Sequence, residues 1–245
     1  MEYTEDKKKM IIDDKFPLSS KYDSGWQLEN EMGSPCLWLI EGLTRKMELK
    51  PGMRILDLGC GKAMTSIFLA KEYGVQVYAN DLWISPTDNW KRICDAGVEN
   101  LVCPISSEAH SLPFAEEFFD AIISVNSYQF FGTADTYFNQ YLGKVLKRGG
   151  QVGFALPGIY KEFDDLVPEY LKEYWWSDFY YFHSFDWWKR YFTRCGTVDI
   201  ECLDDYDGEG SRIMIKWEAI PDRMQLVRTD NGRNLSWIRL IIRKK

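Results

Sequence analysis

The stretch ILDLGCGKAMTS, Ile55–Ser66, decides the fold. It opens as a short buried strand, turns through Gly59 and Gly61, and drifts into helical spacing of apolar residues. Glycine has no Cβ, so two of them let the chain turn sharply and let a ligand lie against bare backbone. The following helix would aim free amides at that ligand. A carboxylate, Asp57, sits two residues before the first glycine.

Outward from this turn the texture alternates. Met53–Leu58 reads as a strand and Ala63–Tyr73 as a helix closed by Gly74. Val75–Ala79 reads as a strand, Pro86–Ala96 as a helix closed by Gly97, and Leu101–Ile105 as a strand. Phe119–Val125 is a strand rich in β-branched residues, Thr133–Leu146 a helix ended by Gly149-Gly150, and Gln151–Leu156 another strand. Strands alternating with helices predict parallel βαβ units, an α/β fold. Ser34-Pro35 predicts a helix start, serine as cap and proline in the first turn. Residues 160–195 are rich in aromatics and read as helical in pieces. Ser236–Arg243 reads as a last strand, antiparallel to Thr197–Leu203, while Arg212–Ala219 stays open between helix and strand.

Composition narrows the function. The 245 residues fit one large domain, 45% of them are apolar, and the formal net charge is −7. Such a charge argues against nucleic acid and against an anionic membrane as partner. No stretch approaches the roughly 18 apolar residues of a membrane span. The mixed-charge N-terminus does not look like a secretory signal. Six scattered cysteines and two histidines lack zinc-type spacing, so no metal site is expected, and reduced thiols fit a cytoplasmic protein.

Which ligand fits the turn? A dinucleotide-binding turn wants glycine or alanine at the third position after its second glycine motif, G-x-G-x-x-G/A, where this chain has Met64. Asp57 would also repel a pyrophosphate, yet it can accept from an amino acid's ammonium group. A second acid, Asp81, ends the second strand about twenty residues later, where an acidic side chain can bind ribose hydroxyls. An amino-acid end, a ribose end and no phosphate between them describe S-adenosylmethionine.

The chain resembles the class I S-adenosylmethionine-dependent methyltransferases. It is most like the bacterial small-molecule group with the ubiquinone/menaquinone C-methyltransferases and cyclopropane-fatty-acyl-phospholipid-synthase-like proteins. DLGCGKA fits the family's D/E-x-G-x-G-x-G motif, with Ala63 for the last glycine, a departure of one methyl. EAHSLPF, Glu108–Phe114, matches D-A-x-x-L-P-F. FFDAIISVNSYQFF matches the fourth strand with its loop, and VLKRGGQVGFALPG the fifth. The match is continuous over about residues 50–157. It implies a Rossmann-like, mostly parallel seven-stranded sheet with a final antiparallel strand and an aromatic-rich helical cap. Residues 1–50 would form an N-terminal helical cover. Residues 51–245 would form the methyltransferase domain, with 160–195 as insertion or lid, in one compact unit.

By the same resemblance, Asp57, Gly59, Cys60, Gly61, Asp81, Leu82, Glu108, Ala109 and Asn126 bind the cofactor, with Glu108 facing the adenine amino group. Trp83 reads equally as an adenine cover or as core. The implied activity moves a methyl group to a small-molecule acceptor and releases S-adenosyl-L-homocysteine. Cyclopropane-type or lipid methyl transfer, and S-adenosylmethionine binding without turnover, are the alternatives. A base is needed only if the acceptor is not already nucleophilic, and its candidates are Tyr128, His183 and His110. The loop after the fourth strand, Asn126-Ser127-Tyr128, lacks the Asn/Asp-Pro-Pro-aromatic segment of amino-methylating DNA enzymes.

Overall fold

A computed structural model describes residues 3–163, 166–220 and 224–245. Asp164 and Asp165, inside the aromatic-rich stretch, lie outside the described residues.

The strands are β1 (Arg54–Leu58), β2 (Gln76–Asp81), β3 (Val102–Ser106), β4 (Phe119–Val125), β5 (Leu146–Ile159), β6 (His183–Ser184), β7 (Val198–Asp204) and β8 (Leu235–Lys244). They form one sheet in the order β3-β2-β1-β4-β5-β8-β7, with the two-residue β6 pairing to β5. All pairings are parallel except those of β8, which is antiparallel to both β5 and β7. The expected antiparallel last strand is therefore present, and β6 is an eighth, short addition to the expected seven.

Chain order runs outward from β1 to β3, then crosses back to place β4 on the other side of β1. That reversal opens a crevice at the carboxyl ends of β1 and β4, where open α/β sheets bind ligands.

Nine helices flank the sheet among the described residues: α1 (Glu5–Met10), α2 (Ser24–Asn30), α3 (Cys36–Thr44), α4 (Met64–Tyr73), α5 (Pro86–Asp95), α6 (Gly143–Val145), α7 (Phe185–Cys195), α8 (Gly210–Glu218) and α9 (Gln225–Asp230). One apolar face of the sheet carries Ile55, Val77, Ala79 and Ile123 against α3, α4 and α8. The other carries Leu56, Leu58, Ile122 and Phe154 against α7 and the β4–β5 connection. This alternation along each strand is the period-2 pattern of a sheet buried on both sides.

The N-terminal segment is tied to the rest by a buried acid. Glu41 on α3 accepts from the Leu18 and Ser19 amides and the Ser19 hydroxyl, and pairs with Arg45. α3 itself packs on β5 so closely that a Cβ on Gly153 would meet Met47 and Leu43.

Three local expectations change. α3 starts at Cys36, with Pro35 as its cap residue, and no side chain caps it; the Ser34 carbonyl instead accepts from the Cys36 amide in a tight turn. The helix expected over Thr133–Leu146 shrinks to a π-helical turn, Phe138–Leu142, followed by α6, and Leu146 already belongs to β5. Aromatic packing of Tyr137 and Phe138 under the sheet holds this irregular turn. Arg212–Ala219 falls largely within α8, whose buried Ile213, Met214 and Trp217 share one helical face.

Candidate functional site

The crevice is built from the turn after β1. Gly59, Gly61 and Ala63 all adopt left-handed backbone, at φ +74°, +55° and +60°. Gly59 is obligatory for a second reason: a Cβ there would lie 1.8 Å from Ser127 Oγ. Ala63 takes the same backbone region without glycine's freedom, at about 1–2 kcal/mol. The substitution of alanine for the motif's last glycine is thus a backbone strain, not the one-methyl change that its size suggests.

Asp57 ends in this turn and is 1% exposed. Its Oδ2 accepts from Thr65 Oγ1 at 2.5 Å and from Ser66 Oγ at 2.6 Å, both in the first turn of α4. Its Oδ1 is buried with no hydrogen-bond partner. Burial pushes the carboxyl up to about 6, against the two hydroxyls that lower it, and the charge of Asp81 adds to the rise. A buried carboxylate oxygen without a donor is costly unless a ligand supplies one.

Asp81 closes the other side. Its Oδ2 accepts from the Gly61 amide at 2.8 Å, and its Oδ1 accepts from the Trp83 and Ile84 amides at 2.9 and 3.0 Å. A carboxylate offers about four acceptor positions, so about one remains for an outside donor. Asp81 is therefore the brace of the crevice.

The residues between are fixed by backbone. The Gly59 and Cys60 amides both donate to the Asn80 carbonyl, and Asn89 Nδ2 donates to the Gly61 carbonyl. Cys60 is buried, and burial together with Asp57 and Asp81 pushes its thiol well up, leaving it unreactive. Met32, from the segment after α2, lies over Gly61, with Sδ 2.9 Å from where a Cβ would stand.

Beyond β2, Leu82 and Trp83 are 56% and 80% exposed, so Trp83 is not core. They follow Asp81 directly, and the Trp83 amide donates to it. Glu108 Oε2 accepts from the His110 amide and Oε1 meets His110 Nδ1 at 2.7 Å. Burial opposes it, but these bonds hold the Glu108 carboxyl below its usual value. The carboxylate is half-exposed and keeps acceptor positions beyond those two. Ala109 is buried and its carbonyl accepts from Tyr137. His110 rests edge-on against Tyr137 and Tyr141, away from the end of β4.

Asn126, at the end of β4, has φ +53°, its amide donates to the Ala155 carbonyl, and its side chain accepts from Gln129 Nε2. Tyr128 is not placed to act on an acceptor. It is fully buried among Phe131, Tyr137, Phe154, Trp188 and Phe192, and burial pushes its hydroxyl well up. His183 is different. It sits on β6 at the end of β5, 20% exposed, stacked on Trp187 at 3.8 Å and beside Glu162 at 3.7 Å.

Sequence reasoning missed Thr65, Ser66, Ser127, Asn89, Met32 and Glu162. Thr65 and Ser66 carried a signal, two hydroxyls opening the helix after the acid. The others belong to no spacing pattern.

Residues 55–150 match the family model Methyltransf_25, described as a methyltransferase domain. Residues 55–150 are thus similar to a methyltransferase domain. A demethylmenaquinone methyltransferase of Corynebacterium efficiens is 30% identical over 130 residues, covering 51% of this chain and 52% of that protein. A glycine/sarcosine/dimethylglycine N-methyltransferase of Actinopolyspora halophila is 29% identical over 119 residues, covering 48% of this chain and 21% of that one. The chain spans about half or less of the length of the curated relatives it matches. A structure of geranyl diphosphate C-methyltransferase from Streptomyces coelicolor A3(2), with Mg2+, geranyl diphosphate and S-adenosyl-L-homocysteine, superposes at TM-score 0.69. It is 11% identical and covers 84% of this chain and 76% of that one, a likeness of fold. Open α/β sheets bind ligands at the carboxyl ends of their strands, the location of the crevice described above.

Proposed function

We propose that this methyltransferase domain transfers a methyl group from S-adenosyl-L-methionine to a small-molecule acceptor, releasing S-adenosyl-L-homocysteine. The single observation that carries this is the partnerless Oδ1 of Asp57, buried beside a glycine turn whose far side is braced by Asp81. An ammonium group supplies the donor that Oδ1 lacks, and a ribose hydroxyl fits the acceptor position left on Asp81. Gly59 and Gly61 give the nucleoside bare backbone. Cys60, Asn126, Leu82 and Ala109 line the approach, and Leu82 and Trp83 offer apolar surface to a base.

S-adenosylmethionine, once bound, supplies an already activated methyl group. The chain's own work is then to hold an acceptor in line and exclude water. Phe130, Trp176, Tyr180 and Tyr181 are exposed at the same end of the sheet, with Phe130 edge-on to Tyr181 at 5.5 Å. Such rings favour an apolar or cationic acceptor over a phosphate or carboxylate. The net charge of −7 weighs against nucleic acid as acceptor. Six free thiols fit action in the cytoplasm. Among the described residues, no helix is long and apolar enough to cross a membrane.

The test is transfer of labelled methyl from S-adenosylmethionine into the ultrafiltrate of a bacterial lysate. Labelled product with stoichiometric S-adenosylhomocysteine supports the reading. Tight binding of S-adenosylhomocysteine without transfer to any fraction would make the domain a binding module instead.

A further inference from the structure

β5 runs past the end of its neighbour. Val125, the last residue of β4, pairs with Ala155, whereas β5 continues to Ile159. On its other edge β5 stays paired to β8 through Ile159. The edge that β4 vacates is filled by β6, with Gly158 opposite His183 and Ile159 opposite Ser184. His183 therefore stands in line with β4, beyond the Asn126–Gln129 loop, and Ser127 in that loop touches Gly59. The approach is tight: a Cβ on Gly158 would lie 2.7 Å from the His183 carbonyl. Main-chain pairing thus fixes the His183 backbone at the carboxyl end of the sheet, beside the loop that closes on Gly59.

Its surroundings set its chemistry. The ring lies flat on Trp187 at 3.8 Å and 6°, and edge-on to Trp188 at 6.0 Å. Nδ1 is buried, has no hydrogen-bond partner, and faces Glu162 Oε2 at 3.7 Å. Glu162 is itself anchored, since its Oε1 accepts from the Ser184 amide at 2.6 Å. A carboxylate on the Nδ1 side selects the tautomer that leaves Nε2 as acceptor. Among the described residues, the charged group beside the imidazole from the loop after β5 is Glu162, and from α7 it meets the uncharged indoles of Trp187 and Trp188.

We propose that His183, oriented by Glu162, takes up the proton that the acceptor loses on methylation, so that the acceptor attacks the methyl carbon through a proton-bearing nitrogen or oxygen. This rests on the methyl-transfer reading above. The acceptor heteroatom's electron pair forms the new bond to the methyl carbon. The carbon–sulfur bond breaks, and its electrons leave with sulfur as the neutral thioether. The acceptor's proton moves to His183 Nε2, and the resulting imidazolium is balanced by Glu162 before water removes the proton. His183 is the catalytic residue in this step and Glu162 its positioning residue.

The test compares wild type with His183→Gln and Glu162→Gln, using labelled S-adenosylmethionine and the ultrafiltrate of a bacterial lysate across pH. His183→Asn substitutes if the glutamine variant fails to fold. His183→Gln is expected to keep its S-adenosylhomocysteine affinity and unfolding temperature and to lose about 100-fold or more in rate. The acid limb of the pH–rate profile should be present in wild type and vanish in His183→Gln. Glu162→Gln should lower kcat with the KM for S-adenosylmethionine unchanged; an unchanged kcat would leave the pair a structural contact and overturn the proposal. A His183→Gln rate within about threefold of wild type overturns it too, without touching the methyl-transfer reading, since general bases contribute far more. No transfer by wild type sinks both. Independently of turnover, nitrogen NMR of wild type should show neutral His183 protonated on Nδ1; a proton on Nε2 overturns the assignment.

Discussion

The Gly61 amide donates to Asp81 Oδ2 at 2.8 Å, which makes the turn after β1 and the end of β2 one rigid piece. In Asp81→Asn, an amide NH2 must face either Gly61 or the Trp83 and Ile84 amides, donor against donor. Breaking a charged hydrogen bond of this kind costs about 1.5–3 kcal/mol. The expected outcome is S-adenosylhomocysteine affinity at least about tenfold weaker together with a lower unfolding temperature, by about 2–4 °C for each kcal/mol. Calorimetric titration and thermal unfolding of the same preparation check both.

Asp57 makes stability and binding respond oppositely to pH. Its carboxyl is raised from 3.8 to about 6 by burial, so between those values the folded chain holds a proton that the unfolded chain has released. Its contribution is therefore greatest below the unfolded value and is lost as pH rises through about 6, by roughly 3 kcal/mol in all. Binding of an ammonium group needs the charged carboxylate and strengthens over the same window. Urea unfolding should show a decline from pH 4 to 7 in wild type that Asp57→Asn lacks. S-adenosylhomocysteine should bind more tightly at pH 7 than at pH 5 only in wild type.

Ala63 and Gly59 separate two uses of left-handed backbone. Ala63→Gly relieves strain at φ +60° and should stabilise by about 0.5–1 kcal/mol, after allowance for glycine's extra freedom when unfolded. Gly59→Ala adds the same strain and drives a methyl into Ser127, so it should destabilise and distort the crevice. Denaturant midpoints rank the three chains: Ala63→Gly, then wild type, then Gly59→Ala.

Tyr128→Phe removes a hydroxyl buried within an aromatic cluster rather than one facing an acceptor. Methyl transfer by Tyr128→Phe should stay within about twofold of wild type, far short of the 100-fold effect of losing a general base. A rate assay beside His183→Gln distinguishes the two former candidates.

The strands of the sheet were legible because they are buried on both faces and punctuated by glycine, as at Gly74 and Gly97. The order in which the strands lie in the sheet is not written in their spacing, while Asp57 and Asp81 stand out in the sequence by their distances to the turn. Periodicity could not see the π-helical turn at Phe138–Leu142, because aromatic packing from α7, not local propensity, sets it. It left α8 open because Ile213, Met214 and Trp217 fit a short apolar run of either kind. The motif match includes both Glu108 and His110, but not the bond between them, which depends on how the loop folds. In the sequence Tyr128 follows the fourth strand and His183 lies in the aromatic-rich segment, and nothing there ranks them as bases. Burial and the pairing of β6 separate them, and both depend on contacts across the chain.

The most direct measurement is a crystal structure of the chain soaked with S-adenosylhomocysteine. The account predicts the nucleoside over Gly59–Gly61, its ammonium within hydrogen-bond reach of Asp57 Oδ1 and its ribose at Asp81. Electron density for it in the 790 Å³ groove between α2 and α5, lined by Trp26, Lys71 and Arg92, with the glycine turn left bare, would contradict the account.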